Sequence, residues 1–205
     1  MKKLNLLAAA ALGIVLAVAL WWRKNPSACP YGQRFWVEAP HPLITRERLR
    51  DALDASPGER ILEVGPGTGY YTLDAAGWIG PDGTLEIFDI QQEMLDHTMQ
   101  RAAEEGISNI RPTRGDGRDL PFADDSFDQA FLVTTLGEIP DQAAAISELA
   151  RVIKPGARLV VGELMGDPHW VSPAAIDQHG EAAGLVPERR IGSWVGSFTV
   201  LSKPQ

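Results

Sequence analysis

From Thr45 onward, apolar and polar positions follow two patterns that predict strands and helices in turn. Short continuous apolar runs are typical of buried strands. They predict strands over RILEV (60–64), TLEIFD (84–89), NIRPTR (109–114), FDQAFLV (127–133) and ARLVVGEL (157–164). The tail after Gly184 predicts two further strands around Gly192-Ser193.

Between these runs, apolar residues recur every three or four positions, which is the period of an amphipathic helix. This pattern predicts helices over 45–55, 70–79, 91–106, 141–153 and 172–184. Helices that alternate with strands, followed by a closing hairpin, predict an α/β fold. We expect an open, Rossmann-like, mostly parallel sheet with an antiparallel last strand and helices on both faces.

The chain begins with a basic, apolar leader. Residues 6–22, LLAAAALGIVLAVALWW, contain no polar side chain. With Leu4 and Asn5, a helix of this length covers roughly 26–28 Å, close to the ~30 Å hydrocarbon core of a bilayer. We expect residues 1–24 to form an N-terminal hydrophobic helix that anchors the chain in a membrane. A cleaved signal peptide, with Ala17-Val18-Ala19 as its cleavage site, is the alternative.

Residues 25–44 connect this leader to the regular pattern. They contain four prolines and little periodicity, so we expect a linker or lid instead of a regular element. Tyr31, Phe35 and Trp36 are unusual in a plain linker. They are expected to pack on the domain, with a pocket lining or a lipid surface as alternatives. The third segment, residues 45–205, forms the globular domain.

Composition and charge exclude several classes of function. The 205 residues carry 19 basic and 27 acidic side chains, a net charge of −8. The leader holds Lys2, Lys3, Arg23 and Lys24 and no acid, which leaves 15 bases against 27 acids, or −12, on residues 25–205. Such a domain is a poor nucleic-acid binder, and no nucleic-acid partner is expected. The single cysteine cannot form an internal disulfide, and no metal site is expected.

The first predicted strand ends in a glycine-rich turn. Gly65, Gly67 and Gly69 alternate with other residues and allow the backbone to approach a ligand closely. The dinucleotide fingerprint needs a third glycine at position 70, where this chain has Tyr70. A phosphate-binding P-loop is also absent. A tight strand–helix turn without a ligand is the alternative interpretation.

Acidic residues follow the next strands at the same edge of the predicted sheet. Asp89 ends the second strand, where a carboxylate can accept both hydroxyls of a ribose. Asp116 follows the third strand and can accept from the exocyclic amine of a base such as adenine. Residues 132–138 follow the fourth strand and form the floor of the cleft. Each acid alone is typical of a helix cap or turn, but together they indicate a nucleoside site.

These motifs resemble those of class I S-adenosylmethionine-dependent methyltransferases, in the small-molecule group that includes the quinone-biosynthesis enzymes. The resemblance covers about residues 45–203 and rests on ILEVGPGTGYYT, EIFDIQQEML, GDGRDLPFADDSFDQAF and ELARVIKPGARLVVGE. It implies a seven-stranded sheet, and it makes residues 45–205 a methyltransferase domain with S-adenosyl-L-methionine as cofactor.

The same resemblance assigns individual binding residues. Gly65, Gly67 and Gly69 are implied to cradle the methionine part of the cofactor, and Glu63 to face its amino group through water. Asp89 is implied to bind the ribose. The remaining assignments place Asp116 and Gly117 beside the adenine, Ile90 and Met94 packed near it, and Thr134 under the sulfonium.

Methyl transfer needs positioning more than it needs a proton acceptor, so catalytic residues are hard to name from sequence. His41 and Glu138 are the candidate bases, each with a solvated or structural role as the alternative. His169 and Trp170 follow the fifth strand and are candidates for contact with the acceptor or for helix packing. His97 is expected at the surface, and Cys29 is expected to be inert.

Two functional hypotheses follow. The first is a membrane-anchored methyltransferase that acts on a small or lipid-like acceptor, with its catalytic domain facing the cytoplasm, where the cofactor is made. The second is a membrane-tethered scaffold or regulator that binds the cofactor without catalysis. The complete set of acids and glycines favours the first.

Overall fold

The computed structural model of the protein describes Gly13 and residues 25–205, apart from the side chain of Trp36. The predicted anchor over residues 1–24 therefore lies outside the described residues except at Gly13. Within the described residues, no helix combines the length and apolarity needed to cross a bilayer. The anchor stays a prediction.

One seven-stranded sheet organises the domain, as the sequence predicts. Its strands are β1 (Arg60–Val64), β2 (Thr84–Asp89), β3 (Ile110–Arg114), β4 (Phe127–Val133), β5 (Ile153–Leu164), β6 (Val186–Ser193) and β7 (Gly196–Ser202). Their order across the sheet is β3-β2-β1-β4-β5-β7-β6. Strands β1 to β5 pair in parallel, and β7 pairs antiparallel with both β5 and β6. The antiparallel last strand is confirmed.

Helices cover both faces of this sheet. They are α1 (Phe35–Glu38), α2 (Arg46–Leu53), α3 (Thr72–Ile79), α4 (Gln92–Glu104), α5 (Gln142–Val152) and α6 (Pro173–Ala182). One face carries α2, α3 and α4, and the other carries α5 and α6. The buried side chains of these two groups of helices form two separate apolar clusters, one on each face. Alternate residues of the strands feed both clusters, as the two-residue period of a strand requires: Ile61 lies in one and Leu62 in the other.

Capping explains where several helices begin. The Thr45 hydroxyl accepts from the Arg48 backbone N–H at 3.3 Å, and the Ser172 hydroxyl accepts from the Ala175 N–H at 3.2 Å. Asp141 does the same for α5 through the Ala144 N–H at 3.0 Å. These bonds satisfy N–H groups that a helix leaves without partners in its first turn.

Two predicted boundaries are wrong. Strand β5 begins at Ile153 and includes Lys154-Pro155-Gly156, which the sequence suggests as a stop. The pairing with β4 shifts register between Phe127 and Gln129, and this irregularity accommodates the proline. The final hairpin turns at residues 194–195, two positions after the predicted Gly192-Ser193, because those residues pair with β7.

The segment 25–44 is more regular than its prolines suggest. It contains a 3-10 turn at Tyr31–Gln33 and the single-turn helix α1. Pro26, Cys29 and Val37 face the cavity described below. The position of this segment therefore fits a lid. The expectation that it contains no helix or strand is wrong, because it forms two short helical turns. We call residues 25–41 the lid.

The fold makes a quantitative prediction at β7. Phe198 is fully buried, and a Cβ on Gly162 of β5 would lie 2.5 Å from its ring. Phe198→Ala should lower the free energy of unfolding by about 3–5 kcal/mol, because the cavity it leaves cannot collapse. Val186→Ala in the neighbouring strand is the control, since that side chain is half exposed and should cost less than about 1 kcal/mol. Urea unfolding measures both; equal losses would contradict this packing.

Candidate active site

A cavity of about 900 Å³ opens at the carboxyl ends of the parallel strands. It lies where the strand order reverses between β1 and β4, which is the place where α/β sheets bind ligands. Its wall includes the residues directly after β1, β2, β3 and β4. Eight of the ten predicted cofactor residues line it: Gly65, Gly67, Asp89, Ile90, Met94, Asp116, Gly117 and Thr134. Both candidate bases, His41 and Glu138, line it as well.

The glycine-rich turn gives the cavity a wall made of backbone. Gly65 and Gly67 have φ of +72° and +56°, a region that side chains disfavour. A Cβ on Gly65 would overlap the Thr135 side chain, and a Cβ on Gly67 would lie 2.7 Å from Val37 Cγ1 in the lid. Glycine at these two positions therefore lets the turn, the floor and the lid approach one another.

Two predicted residues, Glu63 and Gly69, lie behind the cavity wall. A Cβ on Gly69 would be 2.9 Å from Thr98 Cγ2, so this glycine permits packing of the turn against α4. The Glu63 side chain is buried, and its Oε2 has no hydrogen-bond partner among the described residues. Burial raises the pKa of Glu63 to about 8. Thr72 interacts with this carboxyl and opposes part of the rise in its pKa. The unpaired Oε2 suits a hydrogen bond to a water molecule.

Asp89 stands at the end of β2 and is 8% exposed. Its Oδ1 accepts the Gln91 backbone N–H at 2.8 Å. Burial raises the pKa of Asp89 to about 6, against the opposing effect of backbone N–H donors. The carboxylate is thus ionised at neutral pH and faces the cavity as a fixed acceptor, which is what binding of two ribose hydroxyls requires.

Asp116 is the predicted adenine-binding residue with a strong competing partner. Its carboxylate accepts from Arg118 at 2.6 Å and from the Arg118 backbone N–H at 3.0 Å. These bonds lower the pKa of Asp116. The side chain is about one third exposed, at the rim of the cavity. A carboxylate has about four acceptor positions, so it can bind an amine while Arg118 holds its orientation.

The floor of the cavity is strained at Thr134. This β-branched residue has φ of +51°, although it directly follows β4. Its backbone N–H donates to the Gly162 carbonyl at 2.8 Å, and its hydroxyl donates to the Val133 carbonyl at 2.8 Å. A β-branched residue in the left-handed region is a genuine outlier, and such strain concentrates at functional sites. The sequence prediction for Thr134 fits this position.

Acidic groups gather at the other end of the cavity. Glu138 lies in the 3-10 turn Leu136–Glu138, and its Oε1 accepts the Cys29 backbone N–H at 3.2 Å. Burial raises its pKa to about 8, and the charges of Asp167 and Asp89 add to the rise. Glu163 behind them is also buried with a pKa of about 8. Asp167, which accepts the His169 N–H at 2.7 Å, has a pKa raised by burial.

His41 belongs to an aromatic cluster under the lid. Its Nδ1 lies 3.3 Å from the Tyr71 hydroxyl, and its ring meets Tyr70 edge-on at 4.7 Å. Burial lowers the pKa of His41, with a smaller contribution from Arg46. The residue is therefore neutral at neutral pH. Tyr70 stands where a dinucleotide fingerprint has glycine. It packs against His41 and so holds the end of the lid against the domain.

Hydrogen bonds tie the lid to the cofactor end of the cavity. Gln91, two residues after Asp89, donates to the Cys29 carbonyl at 2.9 Å and accepts the Tyr31 N–H at 3.3 Å. The Tyr31 hydroxyl lies 3.1 Å from His97 Nδ1. His97, which the sequence places at the surface, is partly exposed and also contacts the lid. The Cys29 thiol has a pKa raised by burial, in keeping with an inert side chain.

Acidic side chains outnumber basic ones in the cavity lining. Asp89 and Asp167 face the cavity, whereas Glu138, with a pKa of about 8, is largely protonated at neutral pH. Arg118, the single Lys or Arg among the described lining residues, is paired with Asp116. A negative cavity attracts a cationic ligand and repels the pyrophosphate of a dinucleotide. S-adenosyl-L-methionine carries a sulfonium and an ammonium beside a ribose and an adenine. The acids, the buried Glu63 and the backbone wall of the glycine turn fit this molecule.

Sequence reasoning missed several cavity residues. Asp167 follows β5 at the same sheet edge as Asp89, so its position along the chain could have indicated a site residue. However, Gly166-Asp167-Pro168 has the composition of an ordinary turn. His169 lines the cavity, as one of its two predicted roles requires. The lid residues and Gln91 meet only through the tertiary fold, and no local pattern indicates them.

Comparison with known proteins decides the family. Residues 41–170 match the sequence profile of the ubiE/COQ5 methyltransferase family, which is well over half of the chain. The chain belongs to this family. Its class, predicted from the motifs, is confirmed, and the family implies S-adenosyl-L-methionine as the cofactor.

Individual relatives are more distant. The chain is 32% identical over 117 residues to a demethylmenaquinone methyltransferase of Staphylococcus aureus, covering 57% of this chain and 48% of that protein. It is 40% identical over 126 residues to an uncharacterized 37.1 kDa protein of a Streptomyces fradiae transposon, covering 60% and 34%. It thus spans half or less of these relatives. A SAM-dependent methyltransferase structure from Aquifex aeolicus shares the fold, with a TM-score of 0.76, 21% identity, and 85% and 98% coverage.

The glycine turn yields a binding prediction. Gly67→Ala should weaken S-adenosyl-L-methionine binding at least tenfold, because the new Cβ meets Val37 and displaces the lid or the turn. Gly58→Ala is the matched control: its φ of +88° carries similar backbone strain of about 1–2 kcal/mol, but no atom lies within 4 Å. Titration calorimetry should find the control unchanged. Equal affinity in both variants would remove the turn from the site.

The buried acids predict an unusual pH dependence of stability. Glu63, Glu138 and Glu163 have pKa values of about 8 in the fold, above the ordinary value near 4.5 of the unfolded chain. Their stabilisation is fully present below the unfolded pKa and is lost as pH rises through the folded pKa. The ligand-free protein should therefore lose stability from about pH 4.5 to about pH 8. Urea unfolding measures the slope, which Glu163→Gln should flatten; a flat profile for the native protein would contradict the burial.

Proposed function

We propose that this protein is an S-adenosyl-L-methionine-dependent methyltransferase that acts at a membrane and transfers a methyl group to a small, lipid-like acceptor. The observation that carries the proposal is the cavity at the carboxyl ends of the strands, which both the ionised Asp89 and the high-pKa carboxyl of Glu138 line. Family membership supports the reaction. The predicted anchor and the demethylmenaquinone methyltransferase relative support an apolar acceptor.

The division of the cavity supports two ligands side by side. Its volume lies near the top of the range of about 300–1,000 Å³ that ligand pockets occupy. Asp89, Met94 and Gly117 form the end suited to a nucleoside. Leu164 and Pro168 line the cavity beside Asp167 and supply apolar surface for an acceptor.

When bound, S-adenosyl-L-methionine would supply a methyl group on a sulfonium; an acceptor atom would bond to the methyl carbon in line as the bond to sulfur breaks and the neutral thioether leaves. The residues of this chain supply position, exclusion of water and charge. The lid covers the cavity through Cys29, Gln91 and Tyr31. Holding the two reactants in line within a closed site lowers the activation free energy of the transfer, by up to about 7–11 kcal/mol in well-oriented systems. The ionised Asp89 attracts the cationic cofactor more strongly than the uncharged thioether product, which favours product release.

Glu138 is the base for an acceptor that starts protonated. It reaches the cavity from the turn after β4, and the Cys29 N–H fixes one of its oxygens. A carboxyl with a pKa of about 8 takes up a proton much more readily than an ordinary glutamate. Because only its ionised form can accept a proton, the rate should rise with pH up to about 8. His41 is held by Tyr71 within the aromatic cluster and serves the lid.

A labelled-methyl assay tests the function. The full chain, S-adenosyl-L-methionine with a labelled methyl group, and extracted membrane lipids and quinones should give a labelled product in the apolar fraction. The membrane-tethered scaffold predicts cofactor binding without labelled product. Labelled product found only among water-soluble extracts would refute the lipid-like acceptor and leave the methyltransferase assignment intact.

Glu138→Gln sharpens this assay. The variant keeps the shape of the protonated acid, so cofactor affinity should stay within about threefold while turnover falls about 10²–10⁴-fold. His41→Gln is the control and should reduce turnover far less. The reverse ranking of the two variants would assign the base to His41. Equal turnover in all three proteins would show that the acceptor needs no base.

A further inference from the structure

Exposed apolar side chains are unevenly distributed over the described residues. Six large hydrophobic side chains are more than one third exposed: Phe35, Leu43, Ile90, Met165, Val186 and Trp194. Five of them lie at the cavity edge of the sheet, and Val186, at the start of β6, lies at the opposite edge. Scattered apolar residues need no explanation, but concentration at one edge does.

The topology places these five residues around the cavity mouth. Ile90 directly follows β2 and Met165 directly follows β5, three strand spacings or about 14 Å apart, with the cavity between them. Phe35 projects from the lid helix α1 and is 57% exposed. We call Phe35, Leu43, Ile90, Met165 and Trp194 the mouth rim.

The hairpin between β6 and β7 contributes the most exposed member. Because β7 runs antiparallel to β5, the start of β7 lies beside the end of β5, and the hairpin turn reaches the cavity edge. The Met165 N–H donates to the Val195 carbonyl at 2.9 Å, and a Cβ on Gly196 would lie 2.7 Å from Leu43 Cβ. These contacts bring Leu43 and Met165 to the base of the turn that carries Trp194. Trp194 itself is 75% exposed.

The length of the chain before the lid limits where the mouth can lie. Pro26 lines the cavity, and the apolar run of the leader ends at Trp22. Four residues span at most about 14 Å. If the leader is inserted in a bilayer, the cavity mouth is therefore held close to the bilayer surface, with the rim beside it.

We infer that the mouth rim docks on the lipid bilayer, with Trp194 and Phe35 inserted at the interface, and that the cavity opens toward the membrane. This inference deepens the proposed function, on which it depends for the apolar acceptor that would enter there. Tryptophan and phenylalanine suit this depth, where one part of a ring contacts lipid and another contacts water. The domain carries −12, so apolar contact supplies the docking, and neutral lipid is the appropriate partner.

The distribution of the rim favours a bilayer over a protein partner. Its members come from the lid, from Leu43 just after it, from the loops after β2 and β5, and from the hairpin, and only Ile90 among them lines the cavity. Apolar side chains spread over several loops at one edge suit a bilayer surface better than a single groove for a partner helix.

Spin labelling of the full chain tests the inference. Cys29 is the single native cysteine, so Cys29→Ala gives a background for one label at a time. Trp194→Cys and Phe35→Cys place labels on the rim, and Val186→Cys is the control, at 51% exposure on the opposite edge. The labelled proteins are reconstituted in phosphatidylcholine vesicles. Collision with oxygen, which concentrates in lipid, is compared with collision with a water-soluble nickel chelate.

The rim labels should show an oxygen-to-nickel accessibility ratio several-fold above that of the control. Equal ratios at all three positions, or failure of the full chain to enter the vesicles, would overturn the inference. Dipolar broadening between labels at position 194 would place a second copy of the chain on the rim and overturn it as well. Label depth does not depend on methyl transfer, so a docked rim without transfer would refute the proposed function alone.

Discussion

The reversal of strand order between β1 and β4 determines where everything else in this molecule can lie. On one side of that boundary the connections run over one face of the sheet, and on the other side they run over the opposite face. The loops after the two strands therefore diverge and leave a crevice that the core cannot fill. Gly65 lies in its wall and Thr134 in its floor, and both have positive φ values that most side chains disfavour.

Burial of acidic side chains around this crevice lowers the stability of the ligand-free protein. Glu63, Asp89, Glu138 and Glu163 are all largely removed from water, and burial raises the pKa of each. The described residues offset the cost only in part: the lid donates one backbone N–H to Glu138, and Glu63 keeps an oxygen without a partner. A cationic ligand would relieve several of these groups together, so stability and binding depend on the same side chains.

Much of the fold and part of the site could be predicted from the sequence because they depend on local order. Asp89 and Gly65 follow strands whose apolar runs are unmistakable, and parallel strands bring their carboxyl ends together. Glu63 and Gly69 occupy the same motif, yet neither lines the cavity: the Glu63 side chain is buried in the fold, and Gly69 packs against Thr98 of α4. Spacing along the chain does not encode these placements. Gln91 is predictable only as a helix start, because its bonds to the lid join residues sixty positions apart.

The lid connects the two ends of the proposed mechanism. The backbone of Cys29 forms hydrogen bonds with Gln91 beside the nucleoside end and with Glu138 at the acceptor end. One short segment therefore contacts residues that would lie beside each ligand. The same segment continues, within four residues, into the apolar run of the leader. If the proposed acceptor enters past the lid, displacement of Cys29 would free Glu138 Oε1 from the Cys29 N–H. Under the proposed function, lid movement would thereby couple entry of the acceptor to exposure of the proton acceptor.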